Sequence, residues 1–164
     1  MLAQRKDLVY LLAGAGPMEQ RVRELVRHHS LSEVVTMLGA VSDRDILASL
    51  YNAADVFVMP NIDVSDNPEA FGIVLLEATS CGVPVVAAKT YGIPDAIAHG
   101  KNGLLIEPGD GPGFADAVVS LLDHRQELST AAVREYTLRT YEWNRLMERY
   151  QRQFERLIDN AACA

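Results

Sequence analysis

Cysteine is scarce. The 164-residue chain has two, Cys81 in an apolar stretch and Cys163 at the tail, and both read as free thiols of a reducing cytosol. No apolar run approaches the roughly 20 residues of a membrane span. MLAQRKD followed by the short run LVYLLAGAG, which ends in glycines, does not read as a signal peptide. No block is rich in lysine and arginine: 15 basic residues face 22 acidic ones, a formal net charge of −7, which argues against nucleic acid as a partner. The histidines, His28, His29, His99 and His124, are scattered without zinc-ligand spacing, so no metal is expected. Ser65, Ser80 and Cys81 lack a G-x-S-x-G elbow, which argues against hydrolase chemistry. No repeat or low-complexity segment appears. What remains is a chain 49% hydrophobic, enough apolar material for the core of one ordinary soluble domain.

Its pattern is regular. LVYLLAG (8–14), VVTMLG (34–39), DVFVMP (55–60), VPVVAA (83–88) and the middle of NGLLIEPGD (102–110) read as short buried strands bounded by turn residues. Between them GPMEQRVRELVRHH (16–29), with Pro17 in its first turn, and DRDILASLYNA (43–53), capped by Ser42 or Asp43, read as helices. A further helix is expected over 72–81. Alternating strands and helices with continuous apolar strands predict a parallel sheet covered on both faces, an α/β core over 8–110. From residue 111 to 160 the chain reads as helical. WNRLMERYQRQFERLI has charges on a solvated amphipathic face, with Trp143 as a packing anchor. The five methionines fall mostly in apolar runs and read as core.

One segment does not fit a purely structural pattern. DNPEAFGIVLLEATSCG (66–82) is nearly all apolar from Ala70 to Cys81, yet Glu77 interrupts it, eight residues after Glu69. In an open α/β sheet ligands bind beyond the carboxyl ends of the strands, where the loop 61–71 lies. The helix N-terminus at Gly72, Ile73 and Val74 suits a phosphate, and Gly72 lets a ligand approach the backbone. Eight helical residues span roughly 12 Å, so the two glutamates can flank that anion site and accept from the hydroxyls at either end of a nucleotide sugar. Spacing alone leaves a second reading level with it: Glu69 as a helix-dipole charge and Glu77 reaching out to solvent.

The residues themselves go further. E-A-F-G-I-V-L-L-E resembles the E-x7-E signature of retaining glycosyltransferases of the GT-B fold. GAGP (14–17) is similar to their strand-to-helix turn. MLGAVSDRDILASLYNAADVFVMPN resembles the segment before the signature, and SCGVPVVAAKTYGIPDAI, KNGLLIEPGD and YEWNRLMERY resemble the motifs that follow it, in order. The resemblance implies that residues 1–164 are a single nucleotide-sugar-binding domain, the Rossmann-like donor half of a GT-B enzyme that transfers a hexosyl group from a UDP-, GDP- or ADP-sugar, with no other cofactor and no metal. It implies roles by position. Glu69 is the catalytic-site residue that holds the donor sugar; the backbone of Phe71, Gly72, Ile73 and Val74 faces sugar and diphosphate; Glu77 binds the ribose. Gly39, Val41 and Asp43 line the base pocket. Gly14 and Gly16 shape the turn beside it, or only tighten a strand–helix corner. Asp95 stands where the family more often has glutamate, and Asn102–Gly103 reads as a turn.

The chain also departs from the family. The acceptor half is absent. So are the first strand of the donor half, its glycine-containing loop, and the Arg and Lys that neutralise the leaving diphosphate; Lys6 and Lys89 do not match them. In the strand order 3-2-1-4-5-6 the missing strand is central, so the sheet must close up, borrow a strand or expose edges that invite self-association. Fixed positive charge on a leaving group is a large catalytic term, so the chain alone is expected to be weakly active or inactive. A missing N-terminal acceptor domain or a partner chain is expected to complete it. The place of action is the cytoplasm, at the inner face of the membrane for the full-length enzyme. The alternative is a non-catalytic nucleotide- or sugar-binding or interface module of a split or truncated enzyme. A nucleotide-sugar epimerase shares the fold, and the E-x7-E pattern argues against it. Asp63 and Asp66 share a loop but form no D-x-D motif.

Overall fold

The computed structural model describes residues 7–61, 71–124 and 126–162. The chain divides into two compact units, residues 1–50 and 51–164.

The first unit is a β-α-β crossover. Strands β1 (Tyr10–Ala13) and β2 (Val35–Gly39) flank helix α1 (Glu19–His28) and pair in parallel, with Tyr10 opposite Val35 and Ala13 opposite Gly39. Burial alternates along both strands, leaving Leu11 and Leu38 on the exposed face; the covering expected on both faces is found here on one. Pro17 precedes α1 rather than entering its first turn, because Met18 is the N-cap. The helix is steadied instead by Glu19, which pairs with Arg23 at 2.7 Å one turn on. Helix α2 (Arg44–Ala53) follows. Of the two caps considered, Asp43 is the one used: its Oδ1 accepts from the amides of Asp45 at 2.9 Å and Ile46 at 3.1 Å.

The second unit holds β3 (Phe57–Met59), α3 (Ile73–Ser80), β4 (Val85–Ala88), α4 (Ile93–Ala96), β5 (Gly103–Ile106), α5 (Gly111–Asp123), α6 (Thr130–Tyr141) and α7 (Trp143–Ala162). Its sheet runs β3-β4-β5, all parallel. β4 is central and buried at every position. Val86 joins Ala117, Val118, Leu121, Leu128 and Val133 of the helical layer in one cluster. Val85 and Ala87 point the other way and are equally buried, so this strand is covered on both faces, which is why it reads as an unbroken apolar run. The β4–β5 register needs a glycine at 103, where a Cβ would lie 2.5 Å from the Val85 carbonyl oxygen.

Among the described residues β1 pairs with β2 and β3 with β4, and no strand joins the two sets.

The loop after β4 contains α4, a single turn that begins at Ile93 with Pro94 in it. Two local readings change. Asn102 is more than a turn residue: fully buried, it accepts from the Ala98 amide at 2.8 Å and donates to the Ala96 carbonyl at 3.1 Å, tying the end of α4 to β5. Trp143 is not a packing anchor. It is 76% exposed and heads a row on α7, with Met147, Tyr150, Phe154 and Leu157, that is exposed throughout. The 4-3-4-3 spacing makes the apolar stripe of an amphipathic helix, but the rest of the second unit does not cover it.

Candidate functional site

The carboxyl edge of β3 leads towards the N-terminus of α3. Glu69 lies outside the described residues, as do Asp63, Ser65 and Asp66. The helix starts at Ile73 after a left-handed Gly72, so no unbroken helix joins Glu69 to Glu77; Glu77 is on α3.

Gly72 is the N-cap, left-handed at φ 70°, ψ 61°. A side chain there would also be crowded: a Cβ would stand 2.8 Å from Cδ1 of the fully buried Leu75. Glycine is required on both counts. Its carbonyl accepts from the Leu75 amide at 2.9 Å, closing the first turn. The leading amides of α3, at Ile73 and Val74, precede any carbonyl of the helix that could serve them, and they carry the positive end of its dipole. Phe71 and Ile73 are exposed beside this end, Ile73 by 67%. Leu75, Ala78 and Thr79 form the buried face, with Thr79 Oγ1 donating back to the Leu75 carbonyl at 2.9 Å.

Glu77 lies one turn beyond Ile73 and is half-buried. About 6 Å along the axis separate the two residues. Its carboxylate does not snorkel free: Oε2 accepts a 3.0 Å hydrogen bond from the Tyr51 hydroxyl. Tyr51, in the last turn of α2, is 7% exposed and its ring leans on Phe57, centroids 5.8 Å apart. Burial first, then the hydrogen bond and charge of Glu77, push its phenol far above the ordinary tyrosine range. At neutral pH Tyr51 is therefore a neutral phenol that can donate to Glu77.

The loop after β4 lies along the same edge of this sheet. Thr90 is buried there with its Oγ1 unpartnered among the described residues. Tyr91 adopts φ 43°. Lys89 is engaged with Glu107 at 3.2 Å. Asp95 is exposed in the first turn of α4, and its carbonyl accepts from the Tyr141 hydroxyl at 2.6 Å.

The remaining candidates sit in the first unit. Gly14 and Gly39 meet at the carboxyl edge of β1 and β2, the amide of Gly14 donating to the Gly39 carbonyl at 2.7 Å. Gly39 is left-handed at φ 69°. The Gly16 carbonyl accepts from the Glu19 amide at 3.1 Å, which makes it part of the turn into α1. Val41 is half-buried, and the Asp43 carboxylate is occupied as the cap of α2. Among the described residues no group of three or more His, Cys, Asp or Glu is placed to hold a metal, and no helix is long and apolar enough to cross a membrane.

Sequence reasoning missed Tyr51. The available signal was indirect: a tyrosine in an apolar helix needs a partner for its hydroxyl, and Glu77 in an apolar helix needs a donor.

Comparison with known proteins converges on one group. The family model described as glycosyl transferases group 1 matches residues 1–137. The D-inositol 3-phosphate glycosyltransferase of Pseudarthrobacter chlorophenolicus is 40% identical over 128 residues, covering 75% of this chain and 29% of that protein. The GDP-mannose-dependent alpha-(1-6)-phosphatidylinositol monomannoside mannosyltransferase of Mycobacterium tuberculosis is 35% identical over 144 residues, covering 83% of this chain and 36% of its own. The crystal structure of Anabaena Alr3699/HepE in complex with UDP superposes with a TM-score of 0.77 at 26% identity, over 94% of this chain and 43% of that one. The chain thus spans roughly a third of the length of the curated relatives it matches.

Proposed function

The chain belongs to the group 1 glycosyl transferases, and we propose that it forms the donor-binding part of a retaining hexosyltransferase acting on a glycan, lipid or other acceptor. The observation that carries this is the start of α3. A glycine-capped helix N-terminus offers amides and dipole to a diphosphate. One turn further on, a half-buried carboxylate held by Tyr51 is placed for hydroxyls. In this reading the backbone of Phe71, Gly72, Ile73 and Val74 faces the sugar and diphosphate of a UDP-, GDP- or ADP-sugar. Glu77 accepts from the ribose diol, Glu69 from the donor sugar, and the base lies against Gly39, Val41 and Asp43, with Gly14 and Gly16 shaping the turn. The charge of the leaving diphosphate is met by backbone amides rather than a metal. The sugar leaves with its anomeric configuration kept. Binding of UDP by the similar HepE supports a nucleotide ligand, not a particular base.

The acceptor site lies in a partner domain or chain, and the isolated chain transfers sugar weakly or not at all. We place the complete enzyme in the cytoplasm, at the inner face of the membrane. The exposed row on α7 and the edges of β1 and β3 left unpaired among the described residues are the surfaces that such a partner covers, and where the isolated chain self-associates. Isothermal titration calorimetry of the chain with UDP, GDP and ADP, and then with their glucose and mannose conjugates, tests the site. Binding lost in Glu77→Ala supports it; a folded chain that binds none of them sinks it, and turns weight to a non-catalytic interface module.

A further inference from the structure

We propose that Tyr51 is a positioning residue of this site: by holding one oxygen of Glu77, it fixes the carboxylate in the orientation that accepts from both hydroxyls of the nucleotide's ribose. This rests on the donor-site reading of Glu77 and adds to it a residue from another helix.

A glutamate side chain has three rotatable bonds, and a half-buried one on a helix surface has several rotamers open to it. Bidentate recognition of a vicinal diol needs one of them, with both oxygens turned the same way. Tyr51 supplies that selection. Its own position is fixed, because the residue is 7% exposed and its ring packs on Phe57 of β3. Its hydroxyl has a single proton, and that proton is given to Glu77 Oε2 at 3.0 Å. A carboxylate offers about four lone-pair sites. Tyr51 occupies one of them, which leaves Oε1 and the second lone pair of Oε2 for two hydroxyl donors. Tyr51 is the one hydrogen-bond partner of the Glu77 carboxylate among the described residues.

The chemistry of the partner matters as much as its place. A lysine or arginine would orient Glu77 but would also neutralise it, weakening the charge that makes carboxylate–hydroxyl bonds strong. A phenol orients and leaves the charge intact. Burial keeps Tyr51 protonated well above neutral pH, so the donor is present at neutral pH.

The alternative is that Glu77 merely satisfies a buried tyrosine. Ribose discrimination separates the two. Affinities of UDP, GDP and ADP, and of their 2′,3′-dideoxy counterparts, are measured calorimetrically on the full chain, as wild type, Tyr51→Phe, Glu77→Gln and the double variant. For the nucleotide that binds best, removing the diol should weaken wild-type binding by about tenfold or more, the scale of hydrogen bonds to a charged group. In Tyr51→Phe that ratio should fall to less than about threefold, with dideoxynucleotide affinity unchanged. Glu77→Gln should lose the discrimination as well, and the double variant should lose no more than Glu77→Gln alone. An undiminished diol ratio in Tyr51→Phe overturns the proposal, and so does an additive double variant. Ultraviolet titration of the tyrosines checks the pair without any ligand. Glu77→Gln should bring one phenol towards the ordinary tyrosine range, and an unchanged titration curve refutes the contact. If wild type shows no nucleotide binding while that titration shift is present, the donor-site reading fails and the positioning role with it, although the contact itself stands. Glu77→Gln also supplies the diol test should Tyr51→Phe fail to fold.

Discussion

Substituting Gly72 by alanine tests the construction of the site at its narrowest point. Two costs arise. A non-glycine residue in the left-handed region costs about 1–2 kcal/mol. The new Cβ, 2.8 Å from Leu75 Cδ1 and 3.2 Å from its Cγ, must displace a fully buried side chain, and overpacking of that kind costs about 1–3 kcal/mol. Stiffening of the unfolded chain returns about 0.4–1 kcal/mol. The expected net loss is about 2–3 kcal/mol. Gly100→Ala is the control in the same unit: its φ is 74°, yet a Cβ there meets nothing within 4 Å, so only the conformational cost applies and the loss should stay near 1 kcal/mol. Urea denaturation followed by far-ultraviolet circular dichroism measures both. With a slope of about 1–2 kcal/mol per molar, Gly72→Ala should lower the midpoint by about 1 M or more, and Gly100→Ala by about half a molar. Hydrogen exchange should show the extra loss in α3. Equal midpoints for the two variants would refute the claim that Leu75 crowds the cap and that α3 is anchored from beneath it.

Other outcomes follow from the same contacts. Asn102→Ala removes two bonds and leaves the Ala98 amide and Ala96 carbonyl without their partner; a loss of about 2–4 kcal/mol is expected in thermal or chemical melts, and a change under about 0.5 kcal/mol would contradict the burial assigned to it. Burial raises the phenols of Tyr10, Tyr51 and Tyr141 above the ordinary tyrosine range. A raised folded value lends stability that is complete below the unfolded pKa and is lost as pH rises through the folded one. The urea midpoint should therefore fall steadily above about pH 10, less steeply in Tyr51→Phe, and a midpoint flat up to about pH 11 is the contrary result. If the row on α7 drives self-association, Phe154→Glu should shift sedimentation of the isolated chain towards monomer, since Phe154 is 63% exposed; a wild-type chain that is already monomeric at high concentration would exclude that surface.

The strands were legible where the physics is local. VPVVAA announces β4 because a strand covered on both faces has no polar side to show, and all four of its positions are buried. LVYLLAG looks the same on paper, yet Leu11 is 43% exposed. An apolar run reports what a strand is able to bury, not what lies over it. The cap of α2 was readable because Asp43 acts on amides two and three residues away. Asn102 was not, because its partners at Ala96 and Ala98 matter only once α4 has formed. Trp143 failed for a related reason: aromatic character signals a capacity for packing, and the surface it would pack on is not supplied by the second unit.

The same distinction governs the site. The pattern of two glutamates suggested a helix running between them, but a left-handed Gly72 cannot be inside one, so the spacing of Glu69 and Glu77 carries no helical geometry. What survives is the shorter interval from the first amides of α3 to Glu77, one turn that depends on nothing beyond the helix. Nor could spacing show that Glu77 does not simply reach out to solvent, because its partner is on α2, 26 residues away, in the hydroxyl of Tyr51. A carboxylate left to solvent needs no fixed donor. One that receives a hydrogen bond from a buried phenol is held at a definite angle, and that preorganisation, rather than the charge alone, is what the proposed ribose contact draws on.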